Sequence, residues 1–218
     1  MKIYYMDISE IADHTVKEQN LTRYTAFLGP EECTKIIRMK QIADKKRSFA
    51  AYYLLSRAWN ESFENEKHMP VISRNEFGKP YFEEENTPGF NLSHSGRFAV
   101  CAFAQEKEQV GNIGVDVQES RKVEKAFMRR FFSEHEYAYA LQMGQQGALE
   151  IWSRKESLGK CRGYGLKKNL KELDTMACKE HFIVYDLCCE CPAESYVLTA
   201  CTEKSCDADL CEIHWDHE

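Results

Sequence analysis

Two different spacings of hydrophobic residues recur along the chain, and together they predict a mixture of helices and strands. Apolar residues at helical spacing predict helices over 31–43 and 44–63, with Asp44 as the break or N-cap between them. An apolar run over 98–104 and a period of two over 113–118 predict strands joined as a hairpin. The pattern indicates an α+β fold.

The remaining segments alternate between the same two kinds of pattern. The first 11 residues alternate like a strand, and prolines and glycines over 65–90 predict loops and short strands. Later predictions are a helix over 123–143 that starts or breaks near Ser133, a turn at 144–147, a helix from about 148, and antiparallel strands at 181–187 and 195–201.

Composition excludes several classes of protein. The 218 residues are 43% hydrophobic and 12% aromatic, which excludes disorder, and no run of 18 apolar residues could span a membrane. The net charge of −6 argues against nucleic-acid binding, which needs an electropositive face. The N-terminus lacks a signal-peptide core, so we expect a cytoplasmic protein.

Ten cysteines raise the question of metal binding or disulfides. Reduced thiols are the default without a secretory signal. Seven of the ten follow residue 177, but their spacings do not form two CxxC pairs. Free thiols are therefore the first interpretation, and the alternative is a zinc site drawing on Cys189, Cys191, Cys206 or His214.

Three short segments carry candidate chemistry. Trp152, Glu156 and Lys160 share one stripe of a helix, which is either a catalytic face or a solvated Glu–Lys pair. Asp116 faces away from the apolar side of its strand, which indicates either a bound cation or an edge strand with one wet face. His94 lies among serine and asparagine before a strand, either as an anion contact or as a hydrogen-bonded loop histidine.

The order of these segments resembles the 4′-phosphopantetheinyl transferases of the Sfp type. The motifs that carry the resemblance are GKP (78–80), FNLSHSG (90–96), GVDV (114–117), FFSEHEY (131–137) and WSRKESLGK (152–160). The likeness extends over most of 27–166. It implies a monomer built from two similar α+β halves related by a pseudo-twofold axis, here 1–105 and 106–218. Two short internal matches, FLGPEE with FFSEHE and LLSRAW with IWSRKE, agree with such a duplication.

The resemblance also implies the reaction. The phosphopantetheine arm of coenzyme A is moved to a serine of an apo acyl or peptidyl carrier protein, with Mg²⁺ or Mn²⁺ held by Asp116 and Glu156. The residue two after the aspartate is often acidic in the family but is Gln118 here, which can ligate a cation without adding charge. Lys160 matches a phosphate contact, and Glu136 or Glu156 is the candidate base.

For coenzyme A itself, the matched positions are cationic or polar side chains: Lys35, Arg47, Lys79, Ser93, His94, Lys155 and Lys160. A lysine of the family's phosphate cluster is replaced by Glu32. We therefore expect weaker phosphate contacts from the N-terminal segment.

The carrier is expected to dock on a basic and apolar segment over 121–132, near Arg121, Lys125, Phe127, Met128 and Arg130. The pattern of the same segment also predicts an amphipathic helix whose apolar residues belong to the core. Two other functions stay open at this point. They are a coenzyme A-binding regulator without turnover, because of Gln118, and a cysteine-rich zinc or redox module.

Overall fold

The computed structural model describes residues 1–63, 68–165, 169–188 and 195–216. Its helices are α1 (Glu18–Leu21), α2 (Thr25–Arg38), α3 (Ile42–Phe63), α4 (Lys107–Val110), α5 (Lys125–Phe131) and α6 (Glu134–Cys161). Its strands are β1 (Lys2–Asp7), β2 (Ile72–Arg74), β3 (Pro80–Phe82), β4 (Gly89–Ser95), β5 (Phe98–Ala104), β6 (Ile113–Glu119), β7 (His181–Cys188), β8 (Ser195–Thr202) and β9 (Asp209–Glu212). Across these ranges, no helix has the length and apolar character that crossing a membrane requires.

The fold is a mixed α+β arrangement with two main sheets. The first sheet has the order β4-β5-β1-β9, and the second has the order β6-β8-β7. All neighbouring strands in these sheets are antiparallel except β1 and β9, which are parallel. Strands β2 and β3 form a separate hairpin.

Burial shows why strand β5 is apolar at every position. Cys101 and Phe103 join the core formed with α3, whereas Val100 and Ala102 join a second core that also contains Val115 of β6. The first sheet is therefore packed on both faces, which favours a continuous apolar run.

Helix α6 covers the other face of the second sheet. Its Leu149 and Trp152 pack with Val197 of β8, and its Leu158 packs with Cys201. Long helices thus lie on the outer faces of the two sheets, and the sheets face each other between them. The predicted boundary near residue 105 does not separate the chain completely, because C-terminal strand β9 pairs with β1. The pseudo-twofold relation between two halves stays a prediction.

Most predicted elements are present; the helix predicted over 31–43 is α2, which begins at Thr25 and ends at Arg38, and four other details differ. The segments 98–104 and 113–118 form strands in different sheets rather than one hairpin, because β5 pairs with β4 and β6 pairs with β8. The NLSHS segment is strand β4 rather than a loop, since its backbone pairs with β5.

The other two differences concern helix ends. Helix α3 begins at Ile42, which places Asp44 in its first turn rather than before it. Ser133 caps α6 as predicted, but the helix runs on to Cys161, with a kink at Gly144, where φ is 71°. Glycine adopts this left-handed backbone conformation without the steric cost of a side chain.

Candidate active site

A cleft of about 490 Å³ lies where β4, β6 and α6 meet the β2–β3 hairpin. Its polar and charged lining includes Arg74, Lys79, Ser93, His94, Asp116, Gln118, Glu156 and Lys160. Seven of these eight, all except Arg74, were predicted as site residues from the sequence, and they come from segments far apart in the chain. The tertiary structure therefore brings most of the predicted residues together.

Gly114 allows α6 to approach β6 closely enough to form the cleft. A Cβ atom at this position would lie 1.9 Å from the carbonyl oxygen of Ser157 and 2.4 Å from the amide nitrogen of Cys161. Any side chain would push α6 away from the strand. The glycine of GVDV thus sets the separation across which Lys160 reaches Asp116.

Two carboxylates, Asp116 and Glu156, face this cleft from β6 and α6. Loss of hydration raises the pKa of Glu156 to about 7, and the charge of Asp116 adds to the effect, while Lys160 and Arg121 oppose it. Two neighbouring carboxylates are a donor set that suits a hard divalent cation such as Mg²⁺. Within the described ranges, no group of three His, Cys, Asp or Glu side chains could hold a metal ion.

Lys160 is bound to Asp116 rather than to Glu156. Its Nζ lies 2.8 Å from Asp116 Oδ1, 2.8 Å from the carbonyl oxygen of Val115 and 2.9 Å from Ser93 Oγ. The simple Glu–Lys pair along the helix is therefore not what forms. The three ammonium donors are all used by these acceptors, so Lys160 neutralises Asp116 in this structure.

Gln118 lies next to Asp116, as its position two residues along the strand requires. Its Nε2 donates to Asp116 Oδ2 at 2.8 Å. The amide thus satisfies the second oxygen of the aspartate. Ligation of a cation by Gln118 would require its amide to turn so that the carbonyl oxygen faces the ion.

His94 lies at the mouth of the cleft. More than a third of the residue is exposed, yet the surrounding protein still removes part of the hydration of the imidazole. This desolvation, together with Arg47 and Lys160, lowers the pKa of His94 below its ordinary value. The ring is therefore biased towards its neutral form in the absence of an anion.

Lys79 joins the hairpin to the rest of the cleft. Its Nζ donates to the carbonyl oxygen of Ile113 at 2.8 Å and to that of Cys161 at 3.3 Å. Asn75 adds a bond from its Nδ2 to the carbonyl oxygen of Gly163 at 2.8 Å. The GKP segment thus anchors the hairpin to β6 and to the end of α6, in addition to lining the cleft.

Two predicted site residues, Glu136 and Lys155, belong to the core instead. Both side chains are fully buried, and Lys155 Nζ lies 2.7 Å from Glu136 Oε2. Lys155 also donates to the carbonyl oxygens of Leu170 and Leu173, while Glu136 accepts from Thr175. Neither group is open to a ligand, which corrects the expectation that Glu136 is a base and Lys155 a coenzyme A contact.

Glu136 has a second structural role at the start of α6. Its Oε2 accepts from the backbone N–H of Ser133, whose own Oγ accepts from the backbone N–H of Glu136. This reciprocal capping box satisfies two donors at the helix N-terminus. The acidic residue of FFSEHEY is thus explained by helix capping and by the buried pair with Lys155.

Lys35 and Arg47, on α2 and α3, are not among the residues that line the cleft, although Arg47 is close enough to His94 to act on its pKa. Lys35 Nζ pairs with Glu31 at 3.2 Å and with Glu32 at 3.1 Å. Arg47 pairs with Asp44 and donates from Nη1 to the carbonyl oxygen of Gly96 at 2.9 Å. Lys35 is thus held by two glutamates and Arg47 lies beside the His94 side of the cleft, and the contacts of both with coenzyme A stay predictions.

Arg74 was not predicted as a site residue. Its guanidinium donates to buried Glu32 at 3.0 to 3.2 Å, to Tyr52 Oη at 2.7 Å and to the carbonyl oxygen of Gly78 at 2.8 Å. Glu32 stands where the family pattern has a lysine, and a buried carboxylate needs a cationic partner. Glu32 was therefore the feature of the sequence from which a compensating arginine on the cleft wall could have been predicted.

The segment predicted to dock a carrier has a basic outer face. Arg121, Lys125 and Arg130 are exposed, and Phe127 is partly buried against Trp152. Met128 is only 3% exposed and packs in the core, which corrects its assignment to the docking surface. The amphipathic interpretation therefore applies to the same segment.

The cysteines of the C-terminal region do not form a described metal site. Cys206 contacts Thr202, and His214 Nδ1 lies 2.8 Å from Glu10 Oε1, so these two predicted zinc ligands have separate partners. Cys189 and Cys191 lie outside the described residues. Cys33, Cys101, Cys161, Cys178, Cys201, Cys206 and Cys211 are free thiols.

Comparison with known proteins identifies the family. Residues 112–199 match the model of the 4′-phosphopantetheinyl transferase superfamily, and residues 14–106 match that of the 4′-phosphopantetheinyl transferase N-terminal region. The chain is 30% identical over 172 residues to the 4′-phosphopantetheinyl transferase Sfp of Bacillus subtilis strain 168, covering 76% of this chain and 72% of that protein. It is 24% identical over 226 residues to the 4′-phosphopantetheinyl transferase psf-1 of Bacillus pumilus, covering 98% and 94%.

The chain is thus a transferase enzyme. It belongs to the 4′-phosphopantetheinyl transferase superfamily and is of the Sfp type.

Proposed function

We propose that the enzyme transfers the 4′-phosphopantetheine arm of coenzyme A to a serine hydroxyl of an apo acyl or peptidyl carrier protein. A bond forms between the serine oxygen and the phosphorus that bears the arm, the pyrophosphate bond breaks, and adenosine 3′,5′-bisphosphate leaves. The observation that carries the proposal is the cleft in which Asp116 and Glu156 lie beside Lys160.

Asp116 and Glu156 are the residues that would hold Mg²⁺ or Mn²⁺. A bound cation supplies neutralisation of the charge that grows on the pyrophosphate oxygens. Lys160 fixes the orientation of Asp116 and adds a positive charge on the same side of the cleft. Desolvation, to which the charge of Asp116 adds, raises the pKa of Glu156, and a cation held by both carboxylates would favour the charged form of Glu156.

Glu156 is also the carboxylate available to accept the serine proton, directly or through a water molecule. Glu136 is enclosed by Lys155, Ser133 and Thr175, which supports this choice. A base must lie within hydrogen-bond reach of the proton that it removes. Of the two glutamates proposed from the sequence, Glu156 is the one that lines the cleft.

The proposed reaction is tested by incubating the purified protein with coenzyme A, Mg²⁺ and several apo carrier proteins. Mass spectrometry of the carrier should show a gain of one phosphopantetheine arm. A carrier whose acceptor serine is replaced by alanine, and a reaction with EDTA, are the controls. If no carrier gains mass, the proposed reaction is rejected in favour of coenzyme A binding without turnover.

We also propose that the carrier docks on the exposed basic residues of 121–130. Arg121 acts on the pKa of Glu156, which supports placing this surface next to the cleft. Carrier proteins that present acidic groups would be attracted to it. Phe127 provides a partly buried apolar contact beside the charges.

Reversing two charges on this surface should weaken carrier binding selectively. For Lys125→Glu with Arg130→Glu, we expect the KM for the carrier to rise about tenfold, with the KM for coenzyme A unchanged. Lys171→Glu with Lys179→Glu makes the same charge change at exposed positions elsewhere and serves as the control. Equal effects of the two double variants in steady-state kinetics would argue against this docking surface.

A further inference from the structure

Strands β4 and β6 lie side by side but belong to different sheets. Alternate side chains of β4 accept hydrogen bonds from alternate backbone N–H groups of β6. The three bonds are Val115 N to Asn91 Oδ1 at 2.8 Å, Val117 N to Ser93 Oγ at 3.3 Å and Glu119 N to Ser95 Oγ at 3.2 Å. The polar side chains of NLSHS thus accept hydrogen bonds from backbone N–H groups of β6, the edge strand of the second sheet, which would otherwise lack partners.

Ser93 differs from Ser95 because it makes two further contacts. Lys160 Nζ donates to Ser93 Oγ at 2.9 Å, and Ser93 Oγ donates to Asp116 Oδ1 at 3.3 Å. The ring is closed by the 2.8 Å contact between Lys160 Nζ and Asp116 Oδ1. Ser93 is only 7% exposed.

The bonding capacity of the Ser93 hydroxyl is therefore fully used. A hydroxyl has one donor and two acceptor sites. Its hydrogen is given to Asp116, and its two lone pairs accept from Val117 and Lys160. In this arrangement nothing remains to bind a phosphate oxygen.

We propose that Ser93 is a positioning residue, which holds Asp116 and Lys160 in place across the junction of the two sheets, and is not a contact for the phosphates of coenzyme A. The proposal rests on the function proposed above. Asp116 is 3% exposed, and its other oxygen accepts from Gln118. With Ser93 and Lys160 on Oδ1, the carboxylate is fixed on both sides, opposite Glu156.

The test compares Ser93→Ala with Ser95→Ala, because each variant removes one acceptor from a backbone donor of β6. Mn²⁺ binding is measured by electron paramagnetic resonance without coenzyme A or carrier. Steady-state kinetics then give the KM for Mg²⁺ and the KM for coenzyme A. The first readout does not depend on turnover, so failure of this proposal is distinguishable from failure of the proposed reaction.

For Ser93→Ala we expect Mn²⁺ affinity to fall about 10- to 100-fold, as is typical when a residue that orients a metal ligand is lost. The KM for Mg²⁺ should rise in parallel, and the KM for coenzyme A at saturating Mg²⁺ should stay within about twofold of that of the wild type. Ser95→Ala should leave all three values unchanged. Ser93→Thr, which keeps the hydroxyl, should recover Mn²⁺ affinity.

A higher KM for coenzyme A with unchanged Mn²⁺ affinity would overturn the proposal and make Ser93 a substrate contact. Equal behaviour of the Ser93→Ala and Ser95→Ala variants would overturn it as well, since both would then act only on the junction of the sheets. If Ser93→Ala does not fold, Ser93→Thr with wild-type Mn²⁺ affinity supports the proposal. A loss of affinity in a folded Ser93→Thr variant contradicts it.

Discussion

Replacing Glu156 with glutamine is expected to lower the rate of transfer about a thousandfold, because a cation held as proposed by Asp116 and Glu156 would lose the negative charge of one of its two carboxylate ligands. The mass-spectrometric assay of the carrier under single-turnover conditions measures this loss.

The same substitution of Glu156 by glutamine should stabilise the metal-free protein at alkaline pH. The pKa of Glu156 is raised to about 7 from a usual value of 4.5.

The sign follows from proton linkage. The folded protein binds the Glu156 proton more tightly than the unfolded chain, so stability from this group is full below pH 4.5 and is lost as the pH rises through about 7. In EDTA at pH 8, Glu156→Gln should be more stable than the wild type by about 1 to 3 kcal/mol. Near pH 4 the difference should vanish.

Gln118→Glu provides the opposite comparison, because it adds a third carboxylate beside Asp116. We expect this variant to keep transfer activity, to be less stable than the wild type in EDTA at pH 8, and to bind Mg²⁺ more tightly. Thermal unfolding with EDTA and with Mg²⁺ measures both effects. An unchanged transfer rate for Glu156→Gln would refute the metal assignment whatever the melting curves show.

Replacing Lys155 with methionine should destabilise the protein by about 3 to 5 kcal/mol, because it leaves the carboxylate of Glu136 buried without its cation. The substitution also removes donors to the carbonyl oxygens of Leu170 and Leu173. Urea unfolding gives the change in free energy. Lys171→Met, an exposed change of the same kind in the neighbouring turn, is the control and should stay within about 0.5 kcal/mol of the wild type.

A second variant separates the structural role of this pair from a role in binding. Glu136→Gln together with Lys155→Met removes both charges and should recover part of the lost stability. At a temperature where Lys155→Met remains folded, its KM for coenzyme A should match that of the wild type. A large increase in that KM would instead restore Lys155 as a ligand contact.

Residue order and local pattern allowed much of the site to be predicted. The helix stripe of WSRKESLGK and the alternation of GVDV gave the directions of Glu156 and Asp116, and the cleft contains both. The same local reasoning misassigned Glu136 and Lys155. Motifs place residues in elements, but burial by a segment such as 169–175, which covers Lys155, depends on contacts distant in the sequence.

The sequence by itself determined the family, the α+β class and the two carboxylates, because these depend on short motifs and on periods of two and 3.6 residues. Only the tertiary structure decided which lysine side chains lie in the cleft and which are bound elsewhere in the fold. Lys160 pairs with Asp116, Lys79 joins the hairpin to β6, and Lys155 is enclosed in the core. The physical reason is that each lysine ammonium group donates to the carboxylate and carbonyl oxygens nearest to it. The packing of the two sheets and α6 determines which oxygens those are.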